Sequence, residues 1–288
     1  MAAALQAYDL RMGLVEGMGL ARCVRRRPRV TRRRAACLAL GLLALVVPGV
    51  AAAAPTVTAR GKAVPIPGFP HTGNILGAGA AVQAEITISG KEYEGFPPPL
   101  IGISVYLPTG VKIDTRDFPT CPPAVILVQR EPLKCPKGSS AGPIGKARGV
   151  VQFGSERVEE VTEILSFLAP NGGLLFQVDG HSPVSLEVPG IAHLRQPGGL
   201  AGFGPEYTGE VPLVVTVPGG PDASVESIDI TLGTAIRRHG KTYYYGRVPK
   251  HCPAGGFRVR SIFTFAEGGD VTKPVTVTVP FRAPCPRH

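Results

Sequence analysis

The sequence predicts an all-β protein, an antiparallel β-sandwich (one large or two smaller), on three observations. Apolar and polar residues alternate with period two in run after run, 37 glycines and 30 prolines punctuate those runs, and helical periodicity is nearly absent. With 44% hydrophobic and 18% charged residues, the chain can bury a sizeable core. Little helix is expected apart from an N-terminal signal segment.

Residues 1–53 read as a secretory signal peptide with an extended basic n-region. RRRPRVTRRR (Arg25 to Arg34) leads straight into AACLALGLLALVV, followed by Pro48-Gly49 and small residues up to Ala54. Pro55 disfavours cleavage directly before it, which places the cut after Ala52 or Ala53. An uncleaved anchor is the alternative, and through it alone would the chain meet a membrane. Nine of the 31 Lys+Arg and two of the 21 Asp+Glu precede Ala35, which leaves 22 against 19, a net charge of +3 rather than +10. The basic character belongs to the targeting segment, so no nucleic-acid partner is expected. The exported region is 54–288, with a subdivision near 170–200 left open.

Along that region the strands follow in order. VQAEITIS (Val82 to Ser89) sets Val82, Ala84, Ile86 and Ile88 on one face and polar residues on the other. The same pattern predicts strands in IGISVYL (Ile101 to Leu107), VTEILSFL (Val161 to Leu168), LLFQVDG, PVSLEV, VPLVVTV (Val211 to Val217), SIDITLGTAI, KTYYYGRV, FRVRSIFTF and VTVTVPF. Asn171-Gly172-Gly173 reads as a hairpin turn. Thr120 is positioned to cap a short helix through AVILVQR with Pro122 and Pro123 in its first turn, and a strand competes with it because of the β-branched residues Val125, Ile126 and Val128.

Cys23 and Cys37 leave with the signal; Cys121, Cys135, Cys252 and Cys285 remain, an even number in an oxidising compartment. Three pairings are open, and near neighbours are expected to join: Cys121 with Cys135, Cys252 with Cys285. For the second pair, a hairpin turning around Glu267 to Thr272 places position 285 opposite 254. Each cysteine precedes a proline and none forms C-x-x-C, so no metal site is expected.

GSSAG (138–142) matches G-x-S-x-G and makes Ser140 a candidate esterase nucleophile. A nucleophile elbow needs a strand before the serine and a helix after it; Pro136, Pro143 and Gly145 deny both, so Ser140 is expected to be a turn hydroxyl. Asp179 and His181, its partners in chain order, fall two residues apart on one strand face. Glu92 with Glu94, and Glu159 and Glu160 with Glu163, read as solvated charges near strand ends or turns. No catalytic residue and no cofactor is assigned. The most site-like stretch is RRHGK running into YYY. Arg237, Arg238, His239 and Lys241 at a hairpin tip beside Tyr243 and Tyr245 would suit a carbohydrate, an anionic cell-wall polymer or an envelope protein. The plainer reading is a solvated tip followed by a strand with Tyr243 and Tyr245 on one face and Tyr244 on the other.

The order TCPP, an apolar bridge, then KCPKGSSAGPIGKARG resembles a pattern in uncharacterised exported β-rich proteins of high-GC bacteria. There a Cys is followed about a dozen residues on by CP-x-x-S-x-x-G-x-G and a strand. The similarity spans Phe118 to about Phe153, and this chain departs from it by inserting Gly142-Pro143. The resemblance implies a disulfide and an envelope or extracellular location, and brings no catalytic residue. The expected function is a non-enzymatic structural or binding role outside the cytoplasm; a wall-polymer binding module and a Ser140 esterase are the alternatives.

Overall fold

The computed structural model describes residues 54–69 and 75–286; the signal segment expected over 1–53 lies outside the described residues. The strands in chain order are β1 (Thr56–Val64), β2 (Ala81–Ser89), β3 (Leu100–Tyr106), β4 (Lys112–Ile113), β5 (Gly145–Phe153), β6 (Glu156–Leu168), β7 (Leu174–Gly180) and β8 (Leu186–Arg195). They continue with β9 (Glu206–Glu210), β10 (Ser224–Leu232), β11 (Ala235–Arg238), β12 (Lys241–Tyr244), β13 (Gly246–Arg247), β14 (Phe257–Glu267) and β15 (Asp270–Ala283); the single α-helix among the described residues, α1, is Pro123–Leu127.

One antiparallel sheet of 11 strands runs in the order β1-β2-β10-β5-β6-β7-β8-β9-β3-β14-β15. The chain is therefore all-β, and its sheet is nearly closed into a barrel instead of being split into two stacked layers. β7 and β8 sit in the middle of this sheet, so the chain between 170 and 200 runs within it. Alternation decides which side faces in. Val57, Ala59, Gly61 and Ala63 of β1 pair with Ile88, Ile86, Ala84 and Val82 of β2, and Ile228, Ile230 and Leu232 of β10 continue the same face. At the other end of the strand order, Phe257, Val259, Ser261, Phe263 and Phe265 of β14 face inward with Val275, Val277, Val279 and Phe281 of β15. The outer face carries Arg60, Lys62, Glu85, Asp229, Lys146 and Arg148. This is the reverse of a membrane-spanning barrel, whose outward band is apolar.

Two apolar clusters fill the ends of the barrel. Val57, Ile88, Leu100, Phe263 and Phe265 pack at one end. Phe118, Ala141, Leu168, Leu174 and Tyr245 pack at the other, with Tyr207, Leu232 and Tyr243 against them. The β11–β12 hairpin and the β4–β13 pair belong to this second end, where Asp114 N donates to Tyr245 O and Tyr245 N to Thr234 O.

Outside the barrel, α1 lays Ile126 on Leu175 of β7, and the Cys121–Cys135 disulfide ties the two ends of its loop. The residue capping α1 is Pro122, not Thr120: Pro122 is extended (φ −62°, ψ 133°), and its ring presets the entry to the helix without a side-chain hydrogen bond. The β14–β15 hairpin sets Phe257 opposite Ala283, so position 285 faces 255, one residue on from the sequence-based register. Cys252 reaches Cys285 from just beyond the open end, with their Cα atoms 5.8 Å apart.

Four expected strands change, and KTYYYGRV is one: it breaks at Tyr245 into β12 and β13, which pair with β11 and β4 in separate sheets. VPLVVTV forms no ladder: Pro212 has no amide to give, and the segment turns back over one end of the barrel, touching itself at the isolated Val215–Asp222 bridge. PVSLEV begins pairing only at Leu186 and runs on to Arg195. SIDITLGTAI splits at Gly233, whose φ of 144° no side-chain-bearing residue adopts readily, into β10 and β11. The Asn171-Gly172 turn forms between β6 and β7, with φ of 60° and 83° at the two residues.

Loop closure gives the disulfides a measurable weight. Separations of 14 and 33 residues correspond to about 3 and 4 kcal/mol of stabilisation through the unfolded chain. Replacing Cys252 and Cys285 by alanine is expected to lower the urea-unfolding free energy by about that second amount. The Cys121→Ala/Cys135→Ala pair should lose more than its loop-closure share, because Cys121 is fully buried among Ile126, Ala169 and Leu175.

Candidate functional site

Eleven strands enclose more space than their inward side chains fill. An interior cavity of about 460 Å³ remains, within the range of small-molecule sites. Its size follows from small residues at inward positions: Ala59 and Gly61 of β1, Ala84 of β2, Ala147 and Gly149 of β5, and Gly190 of β8. Val82 points inward and is still 42% exposed, because no side chain fills the space in front of it. The remaining lining is aliphatic and aromatic, from Ile86, Ile103, Val105, Ile164, Phe176 and Val178.

The barrel is not hydrogen-bonded all the way round. β1 and β15 are the two ends of the sheet order and lie side by side, so close that a Cβ on Gly61 would stand 3.2 Å from Cε2 of Phe281. Pro280 pairs with Arg260 of β14, and a proline nitrogen in such a strand can lie only on the side away from the ladder, here the free edge. Pro274, six residues earlier, removes a second donor from that edge. The edges therefore meet through the Phe281 ring rather than through a ladder. Phe281 borders the interior cavity on one side and, on the other, an outer cleft of about 340 Å³ rimmed by Arg60, Lys62, Gln83, Glu85 and Arg282.

Polar groups on the inner wall are few, and most are committed. Thr162 Oγ1 donates to Ala147 O at 3.4 Å. Tyr207 and Tyr245 close the second end: their hydroxyl oxygens lie 2.6 Å apart, and 3.3 and 2.9 Å from Gly172 O. Two hydroxyl protons must serve three contacts, so the shorter two are made: Tyr245 donates to Gly172 O and accepts from Tyr207. Burial raises the pKa of both. Tyr207 goes well above the usual tyrosine range, pushed further by Tyr245; Tyr245 goes to about 12, held back by the hydrogen bond it accepts.

Two groups on β6 are exceptions: Ser166 Oγ, opposite Phe176 and buried without a partner, and, on the cavity itself, Glu160. Sequence reasoning places it among solvated charges, yet it is 1% exposed, inward on β6 opposite Gly149. Its Oε2 accepts from Val184 N at 3.1 Å, while Oε1 is buried with no hydrogen-bond partner. A Cβ at Gly180 would lie 2.8 Å from Oε1, so the glycine makes room for the carboxyl group. Five other charged residues border the cavity, Arg60, Lys62, Arg148, Glu210 and Arg247, but they are exposed; Glu160 alone is buried. The period-two frame of β6, read backward from Ile164 through Thr162, reaches Glu160 and is the sequence signal for its inward position.

The stretches singled out in the sequence lie elsewhere. Ser140 Oγ donates to Gly142 O at 2.7 Å, a contact within its own turn, and Asp179 accepts from Gln177 Nε2 at 2.8 Å. The Arg237–Lys241 hairpin forms, with its turn at His239 (φ 49°) and Gly240 (φ 74°). Its four basic residues are exposed, but the tyrosines are not beside them: Tyr245 is 4% exposed and Tyr243 packs into the same cluster. The aromatic partner of Arg237 is Phe69, at 6.0 Å from its ring centroid, and Arg238 lies 4.0 Å from Asp117. Among the described residues, no three His, Cys, Asp or Glu side chains gather as metal ligands would. Comparison with known proteins finds no matching family model, no matching curated protein and no matching solved structure.

The tyrosine pair sets an alkaline limit. Tyr245 has a pKa of about 12 folded against about 10 unfolded, so its contribution is intact below pH 10 and is lost as pH rises through 12. In urea titrations the wild type is expected to lose stability steeply between those values. Tyr245→Phe should be less stable at pH 8, having lost the bond to Gly172 O, and show a shallower alkaline fall.

Proposed function

We propose that this chain is an exported, non-enzymatic binding protein that carries an apolar small molecule inside its barrel. The observation that carries the reading is the aliphatic cavity of about 460 Å³. A void of that size lined by alkyl groups forfeits packing on every wall, and a ligand restores it. Two disulfides are consistent with an extracellular protein, and they lend the barrel rigidity at points outside the cavity. The seam between β1 and β15 supplies an entrance, since parting these edges breaks aromatic contact and no ladder.

The exposed basic residues of the β11–β12 hairpin favour a second reading, contact with an anionic wall polymer, through Arg237, Arg238, His239 and Lys241. It predicts salt-sensitive retention on cell-wall material that Arg237→Ala/Arg238→Ala abolishes.

The carrier reading is tested with an apolar fluorophore such as N-phenyl-1-naphthylamine added to the purified exported form. Saturable binding at one site per chain is expected. Ala84→Leu, which fills the cavity from β2, should weaken binding about tenfold or more while leaving the thermal midpoint at or above that of the wild type. Phe281→Ala should speed both association and release. Absence of saturable binding, or binding indifferent to Ala84→Leu, would remove the proposal.

A further inference from the structure

Resting on the carrier reading, we infer that Glu160 is the polar anchor of the cavity and that its ligand is an apolar molecule carrying one hydrogen-bond donor, a hydroxyl or an amine. Burying a carboxyl group is costly unless its oxygens are bonded, and an unmatched oxygen in a low-dielectric interior is the most costly kind. Val184 N serves Oε2 and nothing among the described residues serves Oε1. No ion pair among the described residues includes it: all five lie at exposed side chains, and the neighbouring Arg148–Glu159 pair is on the solvent side of the sheet. Oε1 is packed against Gly180, where the Cβ of an alanine would stand 2.8 Å from it. The oxygen therefore sits unmatched in a wall that is mostly apolar, which is the arrangement of a recognition group that is completed by its ligand.

The complementary ligand follows from the rest of the wall. An alkyl body fits among Ile86, Ile103 and Val178, and the larger hydroxyl groups of the wall, on Thr162, Tyr207 and Tyr245, are bonded within the protein. One donor at one end of an aliphatic body matches both halves. A site holding an unpaired buried acceptor discriminates strongly against a ligand that lacks the donor.

The test is displacement of the bound fluorophore by decanol, decylamine, decyl methyl ether and decane. In the wild type, decanol and decylamine are expected to displace it at concentrations about tenfold lower than the ether or the alkane. Glu160→Leu should fold with an equal or higher thermal midpoint and treat all four alike. Glu160→Gln, whose amide oxygen still accepts, should keep the preference for decanol over decane. Equal displacement by all four in the wild type, preference for the ether, or discrimination surviving Glu160→Leu would each overturn the assignment of Glu160 with the fluorophore still bound. Failure of the fluorophore to bind overturns instead the carrier reading beneath it.

Discussion

A curled sheet of 11 strands can keep an underfilled interior only if its walls do not depend on that interior for their integrity. Here they depend on the backbone ladder. Ten consecutive strand pairings connect β1 to β15, and each satisfies its own amides and carbonyls whatever lies inside. Side-chain packing is concentrated at the two ends, where Phe263 and Phe265 on one side and Phe118, Leu174 and Tyr245 on the other supply what a continuous core would supply along the axis. Between them, Ala59, Gly61, Ala84 and Ala147 are too short to meet across the barrel. The cavity is thus a consequence of where large and small residues fall on one face, and the polar outer face keeps that arrangement in water.

The open seam is the counterpart of this arrangement. Complete bonding between β1 and β15 would remove two sheet edges and make the barrel rigid throughout. Two prolines on the free side of β15 take donors away, and the Phe281 ring occupies the gap against Gly61. An exposed edge is a hazard for pairing with other chains, and proline and charge are the means by which natural edges are protected. Arg60, Lys62 and Arg282 beside Pro280 serve that end. The Cys252–Cys285 bridge then fastens the end of β15 to the entry of β14, so that loosening of the seam does not spread into the hairpin.

Period-two alternation makes several strands legible in the sequence: Val82 to Ile88, the β14–β15 hairpin and β7 stand where the pattern places them. The near-neighbour disulfides are legible for a related reason, since short separations leave little freedom to mispair. What alternation does not carry is which strand lies beside which. A sandwich and a curled single sheet ask for the same local pattern, and β10 entering between β2 and β5 is a choice made by residues far apart in the chain. VPLVVTV shows the converse failure: its residues are strand formers, but Pro212 and the approaching Gly219-Gly220 turn deny it a partner. Alternation sets Tyr243 and Tyr245 on one face of their strand, but nothing local to them signals that this face is buried against Phe118 and Leu174. Glu160 escapes sequence reasoning because a charged residue near other acids defaults to solvent, while its depth is fixed by Gly149 and Gly180 on neighbouring strands.

Stability and binding pull in opposite directions at this site. A leucine in place of Glu160, or larger residues in place of Ala84 and Ala147, would give a tighter, drier barrel, and nothing in the backbone forbids them. The same sequence places bulky residues freely at the barrel ends, so the underfilled middle does not reflect a shortage of large side chains. An interior that is both underfilled and supplied with an unmatched oxygen is less stable than the same walls could make it. The underfilled space and the Glu160 oxygen border one cavity, which reaches the seam at Phe281. That coincidence is accounted for if the missing atoms arrive with a ligand, and it has no evident rationale if the barrel serves only as a scaffold.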